Sequence, residues 1–160
     1  MNKKLLLALS LVAAIAVAVA WIWMVSNPWP TYTVPAGTTQ TIKGVTWHLD
    51  WMKRISRNDP VFENDYLDQP IEGAAYVLVQ YTYSGTEPFS PCSGILHGDG
   101  RQWYSMWIRV DSPGITNACD DSAAATEQFV FTIPPVAVSE VQSLTLSMPG
   151  YNVRLQGRIH

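Results

Sequence analysis

The chain has 160 residues, of which nearly half are apolar and 14% charged, and a formal net charge of −3. That length suffices for one domain with a real core. Beyond the first four residues, eight Lys/Arg stand against thirteen Asp/Glu, a balance that argues against electrostatic binding of nucleic acid.

Residues 5–25 (LLLALSLVAAIAVAVAWIWMV) contain no charge. At helical rise they span about 30 Å, the thickness of a bilayer's hydrocarbon core. Lys3 and Lys4 precede the run, and the next charge is Lys43. This asymmetry predicts a single-pass cell-membrane anchor with its N-terminus cytoplasmic and residues 26–160 extracytoplasmic. Trp21 and Trp23 fall at the far interface, where aromatic rings are favoured. The alternative is a signal peptide cut after Ala20, at Ala18-Val19-Ala20, which would release a secreted domain. The apolar run continues through Val25, longer than a usual signal core, and this favours the anchor. No cysteine lies here, so lipid attachment on cysteine is excluded.

Residues 26–37 (SNPWPTYTVPAG) hold three prolines and no charge, and read as an extended stalk. The domain is expected over 38–160. In GVTWHLDW and its flanks, 41–52, Val45, Trp47, Leu49 and Trp51 share one face, while Thr46, His48 and Asp50 share the other. Period two with one apolar face predicts a half-buried strand with the tryptophans inward. Residues 53–73 form a long polar connection with room for a short helical turn. Its Asp59, Glu63, Asp65 and Asp68 lack the spacing of a calcium loop.

Residues 74–84 (AAYVLVQYTYS) predict a central strand buried on both faces near its start, with a turn at 85–88. Residues 95–109 predict a hairpin turning at Gly98-Asp99-Gly100. On its second arm Trp103, Ser105 and Trp107 alternate with Tyr104, Met106 and Ile108. Both sets are apolar, so period alone does not say which faces the core. Residues 126–133 (TEQFVFTI) put Phe129, Phe131 and Ile133 inward, and Pro134-Pro135 end the strand. Residues 143–148 and 151–159 close the domain around Pro149-Gly150. About seven short strands argue an all-β, immunoglobulin-like β-sandwich behind one N-terminal transmembrane helix. Cys92 and Cys119 are the only cysteines and fit an oxidising compartment. Paired, they close a loop whose chain-entropy contribution is roughly 3–4 kcal/mol. The alternative is two buried thiols.

Three pieces in order, VLVQYTYSGTEP, ILHGDGRQWY and ATEQFVFTIPP, stand behind an anchor and a short stalk. In this the chain resembles a family of bacterial extracytoplasmic immunoglobulin-like domains of unknown function, found in membrane-anchored and lipid-anchored proteins of Gram-positive bacteria. That group is similar in fold to the secreted immunoprotective antigen of mycobacteria. The resemblance covers roughly residues 34–159. It implies an extracellular sandwich and no catalytic residues.

The residues themselves point away from chemistry. A Ser/His/Asp hydrolase needs an oriented histidine beside a nucleophile; only His48, His97 and His160 are available, and no nucleophile elbow occurs. His48, Met52, His97, Met106 and Met148 form no copper-type cluster in sequence. Cys92 and Cys119 are too far apart for a redox motif. No metal and no cofactor are expected. Trp103 and Trp107 are the candidate ligand-binding residues, since a row of indoles stacks on sugar rings or fills a partner's pocket. The expectation is a non-enzymatic, membrane-tethered binding or scaffold domain of the bacterial cell envelope, its partner an envelope protein or cell-wall polymer. A carbohydrate or cell-wall module using Trp103 and Trp107 is the alternative, and an envelope hydrolase the weaker one.

Overall fold

The structure is a computed structural model that describes Ser10 and residues 12–21, 29–62, 71–89, 91–106 and 122–160. It divides into two compact units, Met1–Pro30 and Thr31–His160. In the first, Ser10 and residues 12–21 are helical. Among the described residues no helix is long and apolar enough to cross a membrane.

The second unit is an all-β sandwich. Its described strands are β1 (Thr31–Val34), β2 (Thr39–Ile42), β3 (Val45–Ile55), β4 (Ala75–Phe89), β5 (Gly94–Gly98), β6 (Arg101–Met106), β7 (Ser122–Ile133), β8 (Val141–Met148) and β9 (Tyr151–Gln156). The hydrogen-bonded order is β1-β9-β8-β5-β6-β7-β4-β3-β2. Strand β6 joins the two layers. Its first half pairs with β5, and Ser105 and Met106 pair with Phe131 and Val130 of β7. An isolated parallel bridge, Met52 to Ile159, ties the layers at the other end.

The core follows from alternation. Trp47, Leu49, Val77, Val79, Tyr81, Tyr83, Phe129, Phe131 and Ile133 project from one layer; Leu96, Leu144, Leu146, Val153 and Leu155 meet them from the other. Trp47 and Phe131 are 0% exposed, as their strand phases predict. Aromatic pairs fill the gap between layers: Trp47 and Tyr83 centroids lie 5.6 Å apart, Tyr81 and Phe129 5.7 Å.

Strand β4 is buried on both faces, as expected. Tyr76 and Leu78 on its outer face form a second apolar cluster with Ile55 and Val130. The start of the connection after β3 packs on it. A 3-10 turn at Pro60–Phe62 lays Val61 and Phe62 on this cluster, with Phe62 edge-on to Tyr76 at 4.8 Å. Glu63, Asp65 and Asp68 lie outside the described residues. The hairpin at Gly98 to Arg101 also forms, with Asp99 and Gly100 at φ 32° and 77°, the left-handed pair that a two-residue turn needs.

Four expectations are corrected. The described strands number nine, not about seven. Thr31–Val34, assigned to the stalk on its prolines, is strand β1, paired in parallel with β9 and burying Val34. The turn expected at 85–88 is instead strand, since β4 runs to Phe89 with irregular pairing after Ser84. Trp51 does not share the inner face with Trp47 and Leu49. A bulge between Leu49 and Trp51 inserts Asp50 as an extra residue, so the phase reverses. Met52 takes the inner position, and Trp51 packs outward against the second cluster.

Candidate functional site

The bulge at Asp50 organises the outer face of the β3-β4-β7 layer. Gln80 Nε2 donates to Asp50 Oδ2 at 3.0 Å, and Thr82 Oγ1 donates to the same oxygen at 2.9 Å. Thr82 has one hydroxyl proton, so Thr126 Oγ1, 3.0 Å away, donates to Thr82. Gln128 Nε2 donates to Gln80 Oε1 at 2.8 Å. Two files of donors from β7 through β4 thus converge on one carboxylate in β3. Asp50 Oδ1 faces His48 Nε2 at 3.9 Å, beyond hydrogen-bond reach. His48 Nδ1 lies 3.1 Å from the Thr38 carbonyl, which only accepts, so Nδ1 carries the proton. His48 and Asp50 are therefore neighbours across the outer face, as their spacing predicts. Both are committed to strand partners.

The aromatic residues of β6 divide. Trp103 is half-buried and packs against the main core, whereas Tyr104 is 70% exposed. Trp107 lies outside the described residues. Tyr104 stands opposite Ile95 in β5 and is an exposed aromatic of β6. Cys92, just before β5, is disulfide-bonded, and no described cysteine is a free thiol. Cys119 lies outside the described residues.

Glu127 is the residue that sequence reasoning missed. It is 0% exposed inside the sandwich. Tyr81 Oη and Tyr83 Oη both donate to its carboxylate, the second at 3.1 Å. Burial, then the Glu127 charge and its hydrogen bond, then Tyr83, hold the Tyr81 hydroxyl well above the ordinary tyrosine range. The signal was present in the strand itself: Glu127 is in phase with Phe129 and Phe131. Among the described residues no group of three His, Cys, Asp or Glu side chains could hold a metal.

No family profile matches the chain, and no curated protein does. Three solved structures are similar to it. The domain is similar in fold to MPT63, a secreted protein of Mycobacterium tuberculosis. The TM-score is 0.56 at 12% identity, over 82% of this chain and all of that one. An uncharacterised β-sandwich protein of Clostridium difficile gives 0.48 at 14% identity, covering 82% of this chain and 97% of that one. A protein of unknown function from Listeria monocytogenes gives 0.48 at 10%, covering 78% and 83%. At such identities the likeness is one of fold alone.

His97 stands on the outer face of the other layer, opposite Gln102 and Ser143. It is far from His48 in the fold, so the two do not form one site. Burial first, and then the charge of Arg154, push its imidazole below the ordinary 6.5. The unfolded chain therefore takes this proton first. His97's contribution to stability is complete above pH 6.5 and declines as pH falls toward the lowered folded value. Urea midpoints at pH 7.5 and pH 5 should fall less for His97→Gln than for the native chain. An equal fall in both would remove His97 as a source of acid sensitivity.

Proposed function

We propose that the chain is a membrane-tethered, extracytoplasmic, immunoglobulin-like binding or scaffold domain of the bacterial envelope, with no chemistry of its own. The observation that carries this reading is the polar ladder on the β3-β4-β7 face. Its carboxylate, amides and hydroxyls, the groups acid–base chemistry would need, are spent holding three strands in register. The result is a stiff, pre-ordered surface, which lowers the cost of binding a partner. Tyr104 on the opposite layer supplies a large exposed ring of the kind enriched at interfaces.

The uncharged run 5–25 serves as the tether in this reading, and the bonded Cys92 pairs with Cys119, the other cysteine of the sequence. Intact mass of protein extracted from its native membrane tests both. A retained N-terminus and the mass of one disulfide are expected; loss of residues 1–20 would replace the tether with a secreted form. For binding, full-length chain retained on beads should capture cell-wall material or an envelope protein. Tyr104→Ala should weaken capture about tenfold, the effect of an interface anchor. Turnover of an envelope substrate by the purified chain would overturn the reading.

A further inference from the structure

His48 and Asp50 stand on the outer face of β3, and each is held through one polar atom of two. His48 Nδ1 gives its proton to the Thr38 carbonyl at 3.1 Å, with Thr39 Oγ1 a second acceptor at 3.2 Å. Nε2 of the neutral ring is therefore a bare lone pair. Asp50 Oδ2 accepts from Gln80 and Thr82, and among the described residues Oδ1 has no hydrogen-bond donor. The two atoms left over, Nε2 and Oδ1, face each other at 3.9 Å. Two acceptors aimed at one another with no donor between them repel. A metal ion between them turns the repulsion into two bonds.

The surroundings are those that metal ligands require. A metal-bound imidazole donates its other N–H to a carbonyl or carboxylate, and a ligating carboxylate is itself hydrogen-bonded. Thr38 fills the first role here, and Gln80 and Thr82 the second. Asp50 is also the bulged residue of β3, and a bulge is a backbone device that re-aims a side chain. The two side chains are 38% and 19% exposed, so an ion reaches them from solvent. They line a cleft of about 380 Å³ together with Trp51, Arg158 and His160 among others. Arg158 is exposed and makes no ion pair with Asp50, which leaves Oδ1 to another cation.

Two ligand atoms, each about 2.0–2.1 Å from a zinc ion at the tetrahedral angle, lie roughly 3.4 Å apart. A small turn of the half-exposed His48 ring covers the difference from 3.9 Å. An imidazole nitrogen with one carboxylate oxygen suits zinc and its first-row neighbours, whereas magnesium and calcium take sets of oxygens. Among the described residues no third His, Cys, Asp or Glu joins the pair, so water completes the shell.

We propose that His48 Nε2 and Asp50 Oδ1 bind a divalent transition-metal ion of the zinc type, with water in the remaining positions. The site goes beyond the binding reading above and does not depend on it.

The test is nitrogen NMR of the histidine side chains in the full-length chain in neutral detergent, titrated with zinc chloride at neutral pH in a non-coordinating buffer. A saturating shift is expected at His48 Nε2, and none at His97 on the other layer. Magnesium chloride at the same concentrations should move neither. His48→Gln and Asp50→Asn should each weaken zinc binding, read by calorimetry, by at least the roughly tenfold that loss of an outer-shell partner costs. Should Asp50→Asn fail to fold, His48→Gln, in a half-exposed ring, carries the comparison. A shift linear in zinc, saturation at His160 alone, an equal response to magnesium, or indifference to either variant would overturn the proposal. If zinc binds but no envelope material is captured, the binding reading fails and the site stands. If material is captured and zinc does not bind, the reading stands and the site fails.

Discussion

Glu127→Ala should lower the free energy of unfolding by about 3 kcal/mol. Glu127 is wholly enclosed, and its carboxylate accepts from Tyr81 Oη and Tyr83 Oη. Truncation leaves both hydroxyls buried without that acceptor, at about 1–3 kcal/mol for each such group, and opens a cavity as well. Glu127→Gln keeps an acceptor oxygen and should cost less, roughly half as much. Urea denaturation of the three proteins measures this. Alanine at or above native stability would mean that the hydroxyls find other partners. The same cluster sets an alkaline limit. The Tyr81 hydroxyl is held above the ordinary value of 10.0, so its contribution is complete below that pH and is lost as pH rises through the folded value. Tyr81→Phe should flatten the alkaline limb of the stability profile, although it strips a donor from a buried carboxylate and lowers stability at neutral pH.

Gly98→Ala should cost about 3 kcal/mol, because two backbones meet there. A Cβ on Gly98 would sit 2.6 Å from the Glu140 carbonyl oxygen and 2.8 Å from its carbon. Neither atom belongs to a side chain that could swing away. Gly98 lies at the irregularity where β5 shifts register to meet Val141, at the end of the 3-10 turn Pro135–Glu140. The strands must part or slip to admit a methyl group. Gly100, two residues on, separates this effect from glycine's conformational freedom. A Cβ at Gly100 meets nothing within 4 Å, and only its φ of 77° opposes substitution. Gly100→Ala should therefore cost about 1 kcal/mol. Equal losses at the two positions, read from denaturation midpoints, would show that the close contact to Glu140 is not the cause.

The two substitutions act at opposite levels of the design. Glu127 is a polar group enclosed by the sandwich, and Gly98 is a place where two neighbouring strands of one layer meet backbone to backbone. Neither lies on the Asp50 ladder.

Local chemistry made much of this protein legible in its sequence. Asp99-Gly100 specified a hairpin because few residues tolerate two successive left-handed conformations. The alternation in β7 placed Phe129, Phe131 and Ile133 in the core, and the double apolar start of β4 marked a strand covered on both faces. These features depend on neighbours two to four residues away. Tertiary structure decided the rest. The proline-flanked Thr31–Val34 reads as stalk until β9, more than a hundred residues later in the chain, supplies its hydrogen bonds. Trp103 and Tyr104 have equal apolar claims, and only the core beneath β6 selects Trp103 for burial. The extra residue at Asp50 carries no local signature; it is the pairing with Gln80 and Tyr81 that fixes it and turns Trp51 outward. His48 and Arg158 are remote in sequence, yet both line one cleft, because the segment after β9 bridges β3 at Met52. Sequence determines which faces are apolar and where the chain can turn, because those are properties of short stretches. Which distant groups share a surface is set by strand pairing, and pairing exists only between segments.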